Sequence, residues 1–495
     1  MERILKIIAS PGAKGPIEHV APTQKVDGTV EAAEKGVVSF AQPSVGNVTG
    51  YVEEKKDKAL ERWLDWVVRA SGSEPVFLLI LLGLLAWAFA GVKYGTTADW
   101  AVVVSDIQAI ISYIFDSLLM RQQLNGYEKT LRVSASLRSR NITHRRMLRE
   151  ILGKKAAADI RVVQANLCFT RFKSELPKES LLGRISTFAA EILGHFIAVS
   201  LFWVSIIVWI GFGPSVGWSD QWQLDINSAT SAFMVLMFSF LANIRERHDR
   251  HLQSCLDTLY QVDSAVEIKL RMMTGDDTPN EPFVVPAPKS SRIQRAIFYY
   301  ADLVGTLTGI AILIVVMVVW LAIGPLMSFN SNWWLLIGTY AGLIGLHDGF
   351  VLRNVQMQFD NYADKAFEEV EADDKAILTD IDMPDPVSGV TPKRSISYRL
   401  SIWMGKVCSH ELAVILGMVL IVGLVAGASA MKWSTTGQLL CNVPPSIIES
   451  FLMMILLTGH NIAEEKRRED IHQMYLRRLS LLCYVEGLSI DQGMA

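Results

Sequence analysis

The apolar residues of this chain gather into eight runs of roughly 18–24 residues with almost no charge, the length that a helix needs to cross about 30 Å of hydrocarbon. Such runs predict an all-α polytopic membrane protein with about eight transmembrane helices. The predicted spans are residues 75–92, 100–120, 190–212, 222–243, 302–325, 333–353, 407–430 and 438–460.

The eight runs form four pairs, because short and long connections alternate along the chain. The short connections read "KYGTTAD", "GPSVGWSDQ", "PLMSFNSN" and "KWSTTGQ", whereas the long ones exceed what a simple connector needs. The long segments have the charged, amphipathic pattern typical of helices that continue from the spans. We therefore predict four repeated helical hairpins separated by long amphipathic helices. In order, the chain would contain a disordered tail (1–55), a first hairpin with a preceding amphipathic helix (56–120), a helical segment (121–189), a second hairpin (190–243), a helix and Pro-rich linker (244–301), a third hairpin (302–353), a helix and linker (354–406), a fourth hairpin (407–461) and a C-terminal helix (462–495).

Composition supports a membrane protein, and the basic residues orient it. Of the 495 residues, 51% are hydrophobic and 20% are charged, and the net charge of −3 gives no reason to expect a nucleic-acid partner. Among the short connections only Lys93 and Lys432 are basic, whereas nearly all other Lys and Arg lie in the termini and long segments. The positive-inside rule therefore predicts that both termini and the long segments are cytoplasmic.

The four pairs also resemble one another in sequence. A tryptophan near the start of the second run of a pair is followed by an acid 15 or 16 residues later, from Trp100 to Asp116, from Trp333 to Asp348 and from Trp433 to Glu449. The second pair has Trp222 and Phe238 at these places. An alternative alignment of the last pair matches Asn461 with Asn243, and Glu449 then no longer aligns with Asp116 and Asp348. Repeated hairpins in membranes commonly enclose a pathway at their interface.

Ionisable residues recur at one depth, near the predicted cytoplasmic ends of the runs. Asp116 and Asp348 each lie five residues before an arginine, which is about 7.5 Å along a helix. The first run of each pair starts in the cytoplasm, so the polar residues at its beginning fall at a similar depth. We expect this inner layer to contain Asp116, His347, Asp348, His410 and Glu411, with His460 at the same level.

Glu449 follows Pro444 and Pro445, which remove helical donors and clash with the preceding turn. The last run is therefore either broken at these prolines, or its helix begins there. In a broken helix, Glu449 would lie near the start of a half-helix, an arrangement that transporters use to hold ions. Further out, the polar residues that would receive a hydrated cation are Asp106, Gln108 and Asn227.

Each of these signals also has a purely structural interpretation. An aspartate five residues from an arginine can pair with it, and Glu74 or Glu411 can be an ordinary first-turn acid. The glycine spacing from Gly338 to Gly349 indicates close helix packing. If arginines neutralise the inner acids, the protein would be a membrane scaffold whose cytoplasmic helices bind partners, and it would not transport.

Carboxylate and imidazole together suit borderline divalent metals such as Fe(II), Zn(II) and Mn(II). The chain has no G-x-x-x-x-G-K-[ST] phosphate loop, which argues against an ATP-driven pump. It has no His-x3–4-His clusters of the kind that a membrane di-iron oxidase needs, and no arginine ladder typical of a voltage sensor. We expect a protein that is not an enzyme and that holds no prosthetic group. A proton relay through the same acids stays open.

Four stretches of the chain, from three of the hairpins, point to one family. The stretch from "SGSEPVFLLILLG" to "SYIFDSLLMRQQ" is similar to the first hairpin of the fungal low-affinity iron permease family, and "DQWQLDINSATSAFMVLMFSFLANIRERHD" is similar to a signature that the family shares with shorter bacterial members. "CSHELAVILGMVLIVGLVAGA" and "PPSIIESFLMMILLTGHN" resemble its last hairpin. The resemblance implies uptake of Fe(II) across the plasma membrane, with Zn(II), Cu(I) and related cations as further substrates.

Together, these observations predict a metal-ion permease in the lipid bilayer, and self-association as a homodimer is possible. The candidate metal ligands within the membrane are Asp116, His347, Asp348, His410, Glu411 and Glu449, with Asp106 and Gln108 toward the outside.

Overall fold

The computed structural model describes residues 12–25, 48–54, 56–95, 98–154, 172, 175–329, 331–387 and 396–491. These residues are predominantly helical, as predicted, with one small two-stranded sheet in which β1 (Ile17–His19) pairs antiparallel with β2 (Phe283–Val285). The helices are α1 (Ala59–Ser71), α2 (Glu74–Tyr94), α3 (Ala98–Lys154), α4 (Leu181–Leu193), α5 (Phe196–Phe212), α6 (Asp220–Thr274), α7 (Arg292–Val304), α8 (Leu307–Ile323), α9 (Ser331–Asp380), α10 (Ile396–Cys408), α11 (Glu411–Ala430), α12 (Thr435–Leu440) and α13 (Val443–Asp491).

Within the described residues, five helical segments are long and apolar enough to cross a membrane. They are Glu74–Tyr94, Phe196–Val216, Asp220–Thr274, Glu411–Ala430 and Thr435–Leu488. A sixth is formed if α7 and α8, which meet at a bend of 62°, are counted as one span. The predicted spans 100–120 and 333–353 form the first parts of α3 and α9, where several side chains lie outside the described residues.

Four long helices form the centre of the molecule. Helices α3, α6, α9 and α13 contain 57, 55, 50 and 49 residues. At 1.5 Å per residue they are about 75–85 Å long, more than twice the thickness of a bilayer core. Along the ring, α3 packs on α6, α6 on α13, α13 on α9, and α9 back on α3. The predicted long polar segments are therefore largely continuations of these helices beyond the membrane.

The shorter apolar helices surround this ring. Helices α2, α5, α8 and α11 are hydrophobic on all sides and leave large side chains such as Leu79 and Phe89 exposed, at 69% and 73%. A helix that is apolar all round requires either burial or lipid. The exposed surface of these four helices is the surface that hydrocarbon would cover.

Each apolar helix is preceded by a separate 13-residue helix, namely α1, α4, α7 and α10. The sequence predicted such a helix only before the first hairpin. The predicted span 190–212 is interrupted because Gly194 ends α4, and His195 then caps α5 by accepting the Ile197 N–H at 3.2 Å on Nδ1. The repeating unit therefore contains a short amphipathic helix, an apolar helix and a long helix.

Stacked tryptophans join the apolar and long helices in three of the four units. Trp87 stacks on Trp100, Trp209 on Trp222 and Trp320 on Trp333, with ring centroids 4.3, 3.7 and 4.1 Å apart. In the first and third pairs, each indole N–H donates to the backbone carbonyl of the other tryptophan. The pairs hold both helices of a unit in the same register.

The fourth unit departs from the predicted tryptophan alignment. Trp433 lies in the turn and corresponds to Trp218 of the second unit. Both residues have a φ of 53°, and the backbone N–H of each donates to the carbonyl five residues earlier. The predicted match of Trp433 with Trp100 and Trp333 is therefore wrong. The alternative alignment agrees better with the structure, because the side-chain amide of Asn243 donates to Gly72 at the end of α1 and that of Asn461 donates to Ala190 in the last turn of α4.

Beyond the membrane, the four long helices enclose a second core with a buried ion network. Asp263 on α6 contacts both Arg140 on α3 and Arg478 on α13, and Arg478 also donates to Asp374 on α9 at 2.8 Å. All four side chains are no more than 3% exposed. His144 lies beside them, and its burial lowers its pKa to about 3, so this imidazole is neutral at cellular pH. The network joins all four helices of the ring.

Because of this network, removing the charge of a buried acid should lower the free energy of unfolding more than removing the charge of a surface acid. Asp263→Asn leaves Arg140 and Arg478 short of negative charge in a dry core, and we expect a loss of about 3–5 kcal/mol in the free energy of unfolding. The matched control is Asp380→Asn, because Asp380 pairs with Arg145 and Arg149 at the surface and its loss should cost about 1 kcal/mol or less. Thermal unfolding of the purified variants measures both, and equal losses would contradict the role of the network.

Candidate cation pathway

Three carboxylates from three helices of the ring meet inside the membrane-embedded part of the bundle. Asp116 on α3, Asp348 on α9 and Glu449 on α13 are 0%, 1% and 1% exposed. They lie close enough to interact electrostatically with one another. The fourth long helix, α6, contributes the buried Phe238 and Met234 to the same core. We call these three carboxylates the acid layer.

The acid layer is almost free of hydrogen bonds. Neither oxygen of Asp116 or of Glu449 has a partner, and Oδ2 of Asp348 also has none. Oδ1 of Asp348 accepts a hydrogen bond from the hydroxyl of Tyr300 on α7 at 2.6 Å. Removing a carboxylate from water without a partner is costly, so this layer requires a cation or protons to compensate it.

The arginines next to the acid layer do not neutralise it. Arg121 pairs with Asp65 at 2.9 Å, and Arg353 donates to Gln356 at 2.7 Å. In the described part of the chain, no arginine or lysine nitrogen lies within 4.0 Å of Asp116, Asp348 or Glu449. The structural interpretation, in which each aspartate simply pairs with the arginine five residues later, therefore does not apply.

Glu449 reaches the acid layer because the last run is broken. Helix α12 ends at Leu440, α13 starts at Val443, and the two prolines occupy the first turn of α13, where a missing N–H costs little. Gly345 on α9 then leaves room for the carboxylate, because a Cβ at this position would lie 2.7 and 2.8 Å from the two oxygens of Glu449. The glycine spacing thus serves close helix packing, as predicted.

A small polar cavity lies between Glu449 and the end of the bundle that carries the short turns between apolar and long helices. Its volume is about 30 Å³, enough for about one water molecule. Asn227 donates to Ser105 at 3.0 Å, and Gln108 donates to Ser112 at 2.6 Å. The cavity is lined by Ser105, Gln108, Leu224, Asn227, Gly338, Gly342, Leu439, Asn442, Ser446 and Glu449. Gln108 and Asn227 are thus brought together beside Glu449, while the side chain of Asp106 lies outside the described residues.

The structure separates the predicted histidines from the acid layer. The ring of His347 is half-buried and packs edge-on against Tyr300, with centroids 4.6 Å apart. His410 is exposed and caps α11 by accepting the Leu412 N–H at 3.1 Å. His460 lies further along α13, where its Nε2 is 2.9 Å from Nδ1 of His248.

Glu411 and Glu74 are also apart from the layer. Glu411 accepts hydrogen bonds from the Ser291 hydroxyl at 2.7 and 2.9 Å, and Glu74 pairs with Arg247 at 3.2 Å. Both acids stand in the first turn of an apolar helix, where the helix dipole favours negative charge. The sequence offered this first-turn interpretation for both acids, but the break before α11 was not predicted, and Glu411 was therefore assigned to the inner layer.

A large chamber lies beyond the acid layer, between the long helices. It has a volume of about 1130 Å³ and is lined by residues that include Tyr127, Arg245, Gln356, Asp360 and His460. Sequence analysis missed it, although the arginines at the ends of the apolar runs mark its level. The small cavity, the acid layer and the chamber follow one another along the bundle.

The acid layer does not form a closed metal cage. Among the described residues, no group of three or more His, Cys, Asp or Glu side chains is arranged to hold a metal ion. Three separate carboxylates with free oxygens can instead attract a cation that keeps part of its water shell. Such an arrangement favours passage over tight retention, because an ion that binds too tightly blocks conduction.

Comparisons with known proteins agree with this picture. Residues 182–282 and 397–480 match the family described as low affinity iron permease. The chain is 34% identical to the low-affinity iron/zinc ion transport protein of Schizosaccharomyces pombe, over 98% of its own length and 86% of the relative's. It is 32% identical to the low-affinity Fe(2+) transport protein of Saccharomyces cerevisiae, over 98% of both chains. No solved structure matches. The chain therefore belongs to the low-affinity iron permease family.

Proposed function

We propose that this protein is a low-affinity permease that moves Fe(II), and also Zn(II), across the plasma membrane into the cytoplasm. The observation that carries the proposal is the acid layer of Asp116, Asp348 and Glu449, which is buried among the long helices without ion-pair partners. The names of the two fungal relatives support these substrates.

The proposed path starts at the small polar cavity. Gln108 and Asn227 receive a partly hydrated ion, and Glu449 is the first carboxylate that it meets. Asp116 and Asp348 then replace further water before the ion enters the inner chamber. The membrane potential alone can drive this movement, since it is worth about 2.3 kcal/mol per charge per 100 mV.

The chemistry of the layer favours some metals over others. Carboxylate oxygens favour hard cations such as Mn(II) and also serve as ligands for Zn(II) and Fe(II), whereas Cu(I) prefers thiolate and thioether sulfur. Cu(I) transport is implied by the family resemblance, but the three carboxylates do not favour it. The metal ions are cargo, and the proposal includes no prosthetic group.

The proposed orientation places the long-helix extensions and both termini in the cytoplasm. The positive-inside rule supports it, because the turns between apolar and long helices hold only Lys93 and Lys432 as basic residues. We propose eight crossings, with the first parts of α3 and α9 protected from lipid by their place in the ring. A homodimer is compatible with the exposed extensions, and the oligomeric state stays a prediction.

The alternative is a membrane scaffold without transport, whose long extensions bind partners. In that case the purified chain would carry no metal ion across a membrane. Reconstitution into proteoliposomes decides between the two functions. We expect protein-dependent uptake of radioactive iron and zinc that saturates at high concentration, and the absence of any protein-dependent flux would contradict the permease.

Neutralising the acid layer should abolish transport and leave the fold intact. In Asp348→Asn the amide keeps the shape of the side chain and a contact to Tyr300, but the negative charge is lost. We expect at least a tenfold lower uptake at unchanged expression and an unchanged or raised unfolding temperature, because burying an amide costs less than burying a carboxylate. Normal uptake by this variant would remove Asp348 from the pathway.

A pair of glycines tests the position of Glu449 without changing any charge. Gly345→Ala places a methyl group within 2.8 Å of both Glu449 oxygens and must displace the carboxylate. The control is Gly423→Ala on the apolar helix α11, because a Cβ there meets no heavy atom within 4 Å and Gly423 does not line the small cavity. We expect uptake to fall sharply in the first variant and to stay near normal in the second. Equal activity of both would argue against a role for Glu449.

A further inference from the structure

Two buried arginines lie just beyond the acid layer, and neither forms an ion pair among the described residues. Arg245 on α6 is 7% exposed and Arg353 on α9 is 2% exposed. Their guanidinium groups are close enough to repel each other. A buried charge without an ion-pair partner costs several kcal/mol, so a further anion next to this pair would be stabilising.

The acid that interacts electrostatically with both arginines already forms an ion pair with another residue. Asp360 attracts both Arg245 and Arg353, but it forms its ion pair with Arg467, at 3.8 Å. Arg467 in turn contacts Glu464, which also pairs with Arg468 at 2.9 Å. The acids at this level are thus shared among several basic residues, and an excess of positive charge is left at Arg245 and Arg353.

Arg353 is held in a fixed position. A Cβ at Gly459 would lie 2.0 Å from Nη1 of Arg353, and a Cβ at Gly405 would lie 2.7 Å from Nη2, so two glycines make space for this guanidinium group. Arg353 also donates to Gln356, which lines the inner chamber. The site is therefore built into the packing of α9, α10 and α13.

Two buried hydrogen-bond donors without partners belong to residues that line the chamber. Nη1 of Arg245 is buried without a partner, and Arg245 lines the chamber. The hydroxyl of Tyr127, which is 8% exposed, also lines it and has no partner. The chamber, at about 1130 Å³, has ample room for a tetrahedral oxyanion.

We propose that the inner chamber binds a phosphate-type oxyanion on the guanidinium group of Arg245, with Arg353 adding positive charge behind it. Arginine is the side chain best suited to this ligand, because its planar N–H groups bond oxyanions in pairs. The anion comes either from free phosphate in solution or from the headgroup of an anionic phospholipid.

The site has a consequence for transport, which rests on the proposed function. A cation that leaves the acid layer must pass Arg353 and then Arg245, which lines the chamber. A bound oxyanion compensates these charges and lowers the electrostatic barrier to exit. Phosphate on the chamber side would then act as an activator of metal release.

The test is thermal unfolding of the purified full chain in phosphatidylcholine nanodiscs, with and without millimolar inorganic phosphate at constant ionic strength. The variant is Arg245→Gln, and the matched control is Arg250→Gln, which removes the same charge from the same helix at an exposed surface position. We expect phosphate to raise the unfolding temperature of the wild type and of Arg250→Gln but not of Arg245→Gln. Without phosphate, Arg245→Gln should be at least as stable as the wild type, since it removes an uncompensated charge.

The proposal would be overturned if the unfolding temperature of the wild type rose neither with free phosphate nor in nanodiscs that contain phosphatidic acid. It would also be overturned if Arg245→Gln showed the same shift as the wild type. Nanodiscs with phosphatidic acid and no free phosphate identify the source, because a shift that appears only there and is lost in Arg245→Gln assigns the site to a lipid headgroup. These readouts do not involve metal flux. A specific phosphate shift in a protein that moves no metal would support the anion site and contradict the permease, so the two failures are distinguishable.

Discussion

Three carboxylates buried without ion-pair partners set the main physical constraint on this protein. Asp116, Asp348 and Glu449 are costly to hold in an apolar core, and nothing in the described structure neutralises them with a basic side chain. The surrounding structure must therefore supply the stability that they remove. The stacked tryptophans in three of the units and the buried ion network beyond the membrane are the features that can do so. The ring can hold these buried acids because its rigidity comes from elsewhere.

The ring is built from one repeated unit whose inner positions have diverged. Every unit has a short amphipathic helix, an apolar helix and a long helix, but only three of the long helices carry an acid at the central level. Helix α6 has Phe238 there, and the acid of α13, Glu449, follows the break before Val443. The repeat thus provides a common scaffold, and local departures from it determine where charge, space and polar cavities occur. An asymmetric pathway results from a nearly symmetric fold.

The sequence was sufficient for features that depend on local pattern and insufficient for those that depend on breaks between helices. The runs of apolar residues located the apolar helices, and the spacing from tryptophan and arginine identified Asp116 and Asp348. Glu449 was recognised because prolines signal a helix break. His410 and Glu411 were instead assigned to the acid layer because no proline marks the break before α11, and a capping histidine has no distinct signature. The inner chamber and the network around Asp263 involve residues distant in sequence, which periodicity cannot connect.

The central claim is that the cation is held by the carboxylates of the acid layer, and zinc K-edge X-ray absorption of the zinc-loaded protein tests it most directly. The account predicts a first shell of oxygen atoms at about 2.0–2.2 Å, from carboxylates and water. In Glu449→Gln, the amount of bound zinc should fall while the remaining signal stays oxygen-rich. A wild-type spectrum dominated by imidazole scattering, or by sulfur at about 2.3 Å, would contradict the account.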